Sequence, residues 1–134
     1  MQSLNDMKDL IIESTERTPA VKFMMDGRLS IEGRSLPNNV VDFYIPLIEW
    51  VKNLKEEIIT MDINIEYSDS MSSMKLFEIL NILDANGYLK EFIVKWHYEI
   101  DDEDSLEKGR IFEEILKTAM FIFVENGNSK NIII

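Results

Sequence analysis

From Thr60 to Tyr67, apolar and polar side chains alternate without exception. The apolar set is Met61, Ile63, Ile65 and Tyr67, and the polar set is Thr60, Asp62, Asn64 and Glu66. Successive side chains of a strand point to opposite faces, so this segment predicts a strand that is buried on one face only. The segment Glu91 to Ile100 alternates in the same way except at Ile93. Strands of a parallel sheet with helices on both faces are continuously apolar, so we expect helices mainly on one face.

Three segments with apolar residues at helical spacing separate the predicted strands, near residues 40–55, 71–86 and 104–117. Pro46 interrupts the first, so that helix either kinks there or begins its regular part near Pro46. Asn86-Gly87 predicts a left-handed cap at the end of the second helix. Asp104 and Glu107 have the spacing of a capping box at the start of the third.

Two short strands, Val21 to Met25 and Arg28 to Glu32, flank Asp26-Gly27, a dipeptide that favours a tight hairpin turn. The apolar run Met120 to Val124 predicts a further strand, with Met120 in the core. Strands that alternate with helices predict an α/β fold with a mixed, mostly parallel sheet of four to five strands.

The length of 134 residues predicts one domain. We expect an N-terminal arm over residues 1–14, the domain over 15–125 and a C-terminal tail over 126–134. The chain has no apolar run of the roughly 18 residues that a membrane helix needs. Its first residues lack the basic region and long apolar core of a secretory signal, so the sequence predicts a cytoplasmic protein without a membrane partner.

The formal net charge of −11 argues against nucleic acid as a direct partner, because phosphate binding depends on clustered Lys and Arg. A basic protein surface is the better counterpart. The chain has no Cys, which excludes disulfides, thiolate catalysis and Cys-based metal sites.

His97 is the only His, and Asp101, Asp102 and Asp104 follow it closely. One imidazole and a loop of carboxylates lack the ligand set of a transition-metal site, so we predict no metal, no cofactor and no catalytic residue. Trp50 and Trp96 are predicted core residues. The alternative function is a small metal-dependent hydrolase that uses the acidic loop, or a ligand-binding protein.

The segment Tyr67 to Lys75 lies where the alternating strand gives way to a helix. Its hydroxyls therefore lie beside the free N–H groups and the positive dipole end of that helix. Asp69 or Ser70 can cap the helix, and a hydroxyl presented there is open to a partner or to phosphorylation. Met71 and Met74 are either partner contacts or the packed first turn.

Three segments, taken in order, resemble the SiaC family of bacterial regulatory phosphoproteins, whose fold is similar to that of anti-sigma-factor antagonist (STAS) domains. The first comprises Thr15 to Val21, Gly33-Arg34-Ser35-Leu36-Pro37-Asn38-Asn39, Phe43-Tyr44 and Trp50; the second is Tyr67 to Lys75; the third comprises Trp96-His97-Tyr98, Asp101 to Asp104 and Glu107-Lys108-Gly109. The resemblance implies a non-catalytic, STAS-like protein. It implies that a cognate kinase and a PP2C-type phosphatase control phosphate on a hydroxyl at the strand-to-helix junction, and that the unmodified form binds and activates a diguanylate cyclase.

The family's junction reads Tyr-x-Asn-Thr-Ser-Ser-x-Lys, and this chain has one residue more between Tyr67 and Lys75. Counting from Tyr67 puts Ser70 at the phosphorylated position, whereas counting back from Lys75 puts Met71 there and implies that the switch is lost. We prefer the first count because it keeps a hydroxyl. The candidate phosphorylation site is Ser70, with Ser72, Ser68 and Ser73 as alternatives, and the candidate partner-binding residues are Asp69, Met71, Ser72, Ser73, Met74 and Lys75.

Overall fold

The computed structural model describes residues 7–36 and 38–126. Over these residues the chain forms six strands and three helices. In chain order they are β1 (Leu10–Ile12), β2 (Ala20–Phe23), β3 (Arg28–Ser35), α1 (Val40–Lys52), β4 (Ile58–Ser68), α2 (Ser70–Asp84), β5 (Glu91–Glu99), α3 (Glu103–Ile115) and β6 (Met120–Asn126).

The strands form one sheet in the order β1-β2-β3-β4-β5-β6. The first two pairs are antiparallel and the next three are parallel, with one helix in each parallel crossover. Parallel crossovers are right-handed, and each crossover here steps in the same direction along the sheet. The three helices therefore cover the same face, which confirms the predicted α/β class and the one-sided arrangement.

The register aligns the buried residues of neighbouring strands. Leu29 lies beside Met61 and Met61 beside Val94, and all three are buried against the helices. The opposite face is polar: the His97 ring nitrogen Nε2 lies 2.9 Å from Asp62 Oδ1. Alternation in β4 and β5 thus separates a core face from an open face.

The turn between β2 and β3 confirms the prediction from Asp26-Gly27. Gly27 has a φ of 95°, and its N–H donates to the Met24 carbonyl at 3.0 Å. A β-carbon at Gly27 would lie 2.3 Å from the Ile58 carbonyl oxygen, so both the positive φ and the close approach require glycine.

Helix α1 begins well before Pro46. The side chain of its N-cap residue, Asn39, accepts from the Asp42 N–H at 3.2 Å. Pro46 has no N–H to donate to the Asp42 carbonyl, which would otherwise accept the helical hydrogen bond. Both residues are exposed, so no backbone acceptor is left unpaired in the core.

The predicted number of strands, four to five, is too low. The additional strand, β1, lies within residues 1–14, where we expected an arm, and it pairs with β2. Strand β6 continues to Asn126, the first residue of the predicted tail. Residues 1–6, Pro37 and 127–134 lie outside the described residues.

Two side chains do not lie on the face that the sequence predicts. The pairing of β3 with β4 shifts between Gly33 and Arg34, which ends the alternation, and Tyr67 is 56% exposed rather than in the core. Met120 is 62% exposed, because it pairs with Ile93 and therefore points to the open face.

Two predicted helix caps are also wrong. Helix α2 ends with the cap residue Ala85 at a φ of −95°, and Gly87 does not have a positive φ. Asn86 instead donates from its side chain to the Leu54 carbonyl at 2.7 Å. At the start of α3 the N-cap is Asp102 rather than Asp104, since Asp102 Oδ1 accepts from the Ser105 N–H at 3.0 Å.

Candidate functional site: the junction between β4 and α2

Helix α2 starts at Ser70, directly after Asp69. Asp69 is the N-cap: its Oδ1 accepts from the Ser72 N–H at 2.7 Å, as short aspartate side chains do at helix starts. The Asp69 N–H points to the Ser35 carbonyl at the end of β3, at 3.4 Å. Since Asp69 provides the cap, the hydroxyl of Ser70 is not needed for it.

Ser70 lies exposed on the surface, and its hydroxyl makes no hydrogen bond to the part of the chain that the structure describes. Large apolar side chains surround it in sequence and are also exposed: Tyr67, Met71 at 47% and Met74 at 64%. The two methionines therefore do not pack into the core. An accessible hydroxyl beside exposed apolar side chains suits recognition by another protein.

Ser72 is buried and only 1% exposed. Its Oγ has no hydrogen-bond partner among the described residues. In this conformation Ser72 is open neither to a kinase nor to a partner surface. Lys75, the last residue of the junction, pairs with Glu78 at 3.4 Å.

Ser68 and Ser73 form a three-way contact with Lys108 of α3. The Lys108 ammonium donates to Ser68 Oγ at 3.0 Å and to Ser73 Oγ at 2.7 Å, and the two hydroxyl oxygens lie 3.0 Å apart. This cluster connects the end of β4, the first turn of α2 and the middle of α3.

Burial lowers the pKa of Lys108, and the nearby carboxylates Asp102, Asp104 and Asp69 act in the opposite direction. Lys108 belongs to the third segment of the family resemblance, but we predicted no role for it from the sequence. It is separated from Ser68 and Ser73 by 40 and 35 residues, so no local pattern indicates the contact.

A buried hydrogen bond lies beneath the junction, between Ser35 Oγ and the Tyr44 hydroxyl at 2.5 Å. Burial raises the pKa of Tyr44, which the Ser35 and Ser72 hydroxyls oppose. The Ser72 hydroxyl is thus close enough to influence Tyr44 without making a hydrogen bond of good geometry. Ser35 and Tyr44 belong to the first segment of the family resemblance, but we predicted no role for either from the sequence.

A cavity of about 280 Å³ opens beside the cluster, at the carboxyl edge of the parallel strands. Its lining includes Ser68, Lys108, His97, Asp102 and Asp104. Within residues 7–36 and 38–126, no group of three or more His, Asp or Glu side chains is arranged to hold a metal ion. In the same residues no helix is both long and apolar enough to cross a bilayer.

The prediction that the tryptophans are core residues is confirmed for Trp96, which is buried and donates from Nε1 to the Ser105 carbonyl at 3.0 Å. Trp50 is half-buried. Its ring packs on Phe23 with centroids 5.4 Å apart, and its Nε1 donates to the Lys8 carbonyl at 2.7 Å.

Comparison with known proteins gives a consistent result. The model of the SiaC family of regulatory phosphoproteins matches residues 12–126. An uncharacterized protein of Pseudomonas aeruginosa strain UCBPP-PA14 is 29% identical over 113 residues, which cover 81% of this chain and 90% of that protein.

Two solved structures from Pseudomonas aeruginosa have the same fold. One is the diguanylate cyclase SiaD in complex with its activator SiaC, with a TM-score of 0.78, 26% identity, and coverage of 88% of this chain and 100% of that one. The other is apo-SiaC, with a TM-score of 0.68, 26% identity, and coverage of 90% and 100%. The family model covers most of the chain, which confirms the resemblance seen in the sequence: the chain belongs to the SiaC family of regulatory phosphoproteins.

Proposed function

We propose that this protein is a non-catalytic signalling switch that binds and activates a diguanylate cyclase when Ser70 is unmodified. A cognate kinase and a PP2C-type phosphatase add and remove a phosphate on Ser70, in the cytoplasm. Membership of the family supports this role, as does the likeness to the activator SiaC in its complex with SiaD. The observation that carries it is the exposed, unbonded hydroxyl of Ser70 at the first residue of α2.

The geometry favours Ser70 over the other hydroxyls. Ser72 is buried, and Ser68 and Ser73 are bonded to Lys108, so a kinase would have to break existing contacts to reach any of the three. The count that puts Met71 at the phosphorylated position would leave Ser70, whose hydroxyl is both exposed and unbonded among the described residues, without a role.

The surface around Ser70 has the composition of a partner site. Asp69, Met71 and Met74 are exposed around it, and Lys75 and Ser73 flank them half-buried. A partner that covers the neutral hydroxyl would have to bury an unpaired phosphate dianion after modification. That costs several kcal/mol, or at least ~10²-fold in affinity.

The acidic loop supports a structural rather than a catalytic role, because Asp102 serves as the N-cap of α3. We therefore expect no hydrolase activity from this loop.

The test is reconstitution of cyclase activity. Wild-type protein, S70A and a form with phosphoserine at position 70 are titrated against the diguanylate cyclases of the source organism, and cyclic-di-GMP is measured. Wild type and S70A should activate one cyclase with equal affinity, and the phosphoserine form should bind at least ~10²-fold more weakly.

The matched control is S30D, which adds a negative charge away from the junction. Ser30 lies beside Asp62 on the open face of the sheet, away from the helices, so this substitution should leave activation unchanged. Activation by the phosphoserine form at the wild-type affinity would contradict the switch. Failure of the unmodified protein to bind any cyclase would contradict the proposed partner.

A further inference from the structure

Helix α2 presents one stripe toward α3. Ser70, Ser73 and Phe77 occupy positions i, i+3 and i+7 and so lie on one helical face. Phe77 packs on Phe112 of α3 with ring centroids 5.0 Å apart, and Ser73 is bonded to Lys108 of the same helix. Ser70 therefore lies one turn from a side chain that the Lys108 ammonium already contacts.

The charges around the junction leave few groups that can balance a phosphate. Lys108 already feels the negative charges of Asp69, Asp102 and Asp104. A fourth carboxylate, Glu66, lines the cavity beside Lys108. The dipole of α2 favours an anion at its first turn by only about 0.3–1 kcal/mol. A dianion there needs a cation within reach.

Two other cations near the junction are engaged elsewhere. Arg34 pairs with Glu66 at 3.8 Å and lies over the Tyr67 ring at 5.3 Å. Lys75 pairs with Glu78. Lys108, in contrast, is bonded only to neutral hydroxyls in the part of the chain that the structure describes, so it gains most from an anion.

We propose that Lys108 is the cation that binds the phosphoryl group on Ser70, moving its ammonium from Ser68 and Ser73 onto phosphoryl oxygens. This rests on the proposed function insofar as Ser70 is the modified hydroxyl. In the unmodified state, the hydrogen bonds of Lys108 to Ser68 and Ser73 connect α3 to the start of α2. Phosphorylation replaces these hydrogen bonds with an ion pair to the phosphate and so changes the surface that a partner contacts.

The inference is tested with phosphoserine placed at position 70 during translation, so that no kinase is needed. The second pKa of the phosphate is measured by ³¹P NMR titration. A nearby ammonium favours the phosphate dianion and lowers its second pKa, so K108Q should raise that pKa by about one pH unit. K108R keeps a positive charge and should leave the pKa near the wild-type value. The control K90Q removes a lysine that is paired with Glu57 and should change nothing. An unchanged pKa in K108Q, or a rise in R34Q or K75Q instead, would overturn the assignment.

A second measurement needs no substitution at Lys108. The rate of its reductive methylation, read by mass spectrometry, should fall at least ~3-fold when phosphoserine is present, because an ion-paired ammonium loses its proton less readily. An equal rate in the two forms contradicts the inference. Cyclase activation is scored separately: a phosphoserine form that shows the Lys108 contact yet still activates the cyclase overturns the proposed function alone.

Discussion

The first turn of α2 contains three serines, and their substitution by alanine should raise the free energy of unfolding at one position, lower it at another and leave it nearly unchanged at the third. All three replacements gain the small helix-propensity advantage of Ala over Ser, about 0.5 kcal/mol, so that term cancels when they are compared. What remains is the environment of each hydroxyl. Ser70 is exposed, Ser72 is buried without a partner, and Ser73 is bonded to Lys108 and Ser68.

S72A should stabilise the protein. A buried hydroxyl without a hydrogen bond carries a desolvation cost of about 1–3 kcal/mol, which the substitution removes. A small cavity and the loss of the nearby Tyr44 interaction reduce the gain, so we expect about 1 kcal/mol. For a chain of this length that corresponds to a rise in Tm of about 4 °C.

S73A should lower the free energy of unfolding by about 1 kcal/mol, since it removes a half-buried hydrogen bond to a charged group. S70A should stay within about 0.5 kcal/mol of wild type. The assay is urea denaturation of the unphosphorylated proteins, with an unchanged m-value as the control for a common unfolding reaction. A destabilised S72A would refute the reasoning, and the cycle with Y44F would then show coupling between the two hydroxyls.

Two further substitutions, one of them with a control, test the contacts around the site. G109A should lower the free energy of unfolding by about 1–2 kcal/mol, because the new β-carbon would lie 2.8 Å from Trp96 Nε1. The control is G87A, which should not be destabilising because the space around Gly87 is open. Urea denaturation measures both variants. Y44F should lower the free energy of unfolding by about 1–3 kcal/mol, because it leaves the buried Ser35 hydroxyl without its hydrogen-bond partner. Burial raises the Tyr44 pKa above its ordinary value of 10.0, so above that pH the unfolded state loses the phenol proton first and the stability of wild type relative to Y44F should fall. A stability difference that grows above pH 10 would contradict the assigned cause.

Much of the fold is readable from local patterns. The alternation in β4 and β5 predicts a sheet covered on one face, because the side-chain period of a strand is independent of the rest of the structure. The Asp26-Gly27 turn is equally local, since a positive φ selects glycine. The family motifs indicate the junction at Tyr67 to Lys75 and its hydroxyls.

Local patterns fail where distant segments decide the outcome. The alternation predicts Tyr67 in the core, but the irregular pairing with β3 turns it outward. Capping-box spacing favours Asp104, whereas the strand before it places Asp102 at the helix start. Strand β1 is too short to be recognised without its partner, β2.

The sequence by itself determined the fold class, the family and the turn that carries the candidate switch, because periodicity, turn residues and short motifs act over a few neighbouring positions. Only the tertiary structure decided which hydroxyl of that turn is free. Ser68, Ser70, Ser72 and Ser73 are chemically alike. In the folded chain Lys108 reaches Ser68 and Ser73 from 35 or more residues away, Ser72 is buried near Tyr44, and Ser70 stays exposed. Burial and hydrogen bonding depend on what packs alongside, and no local pattern contains that information.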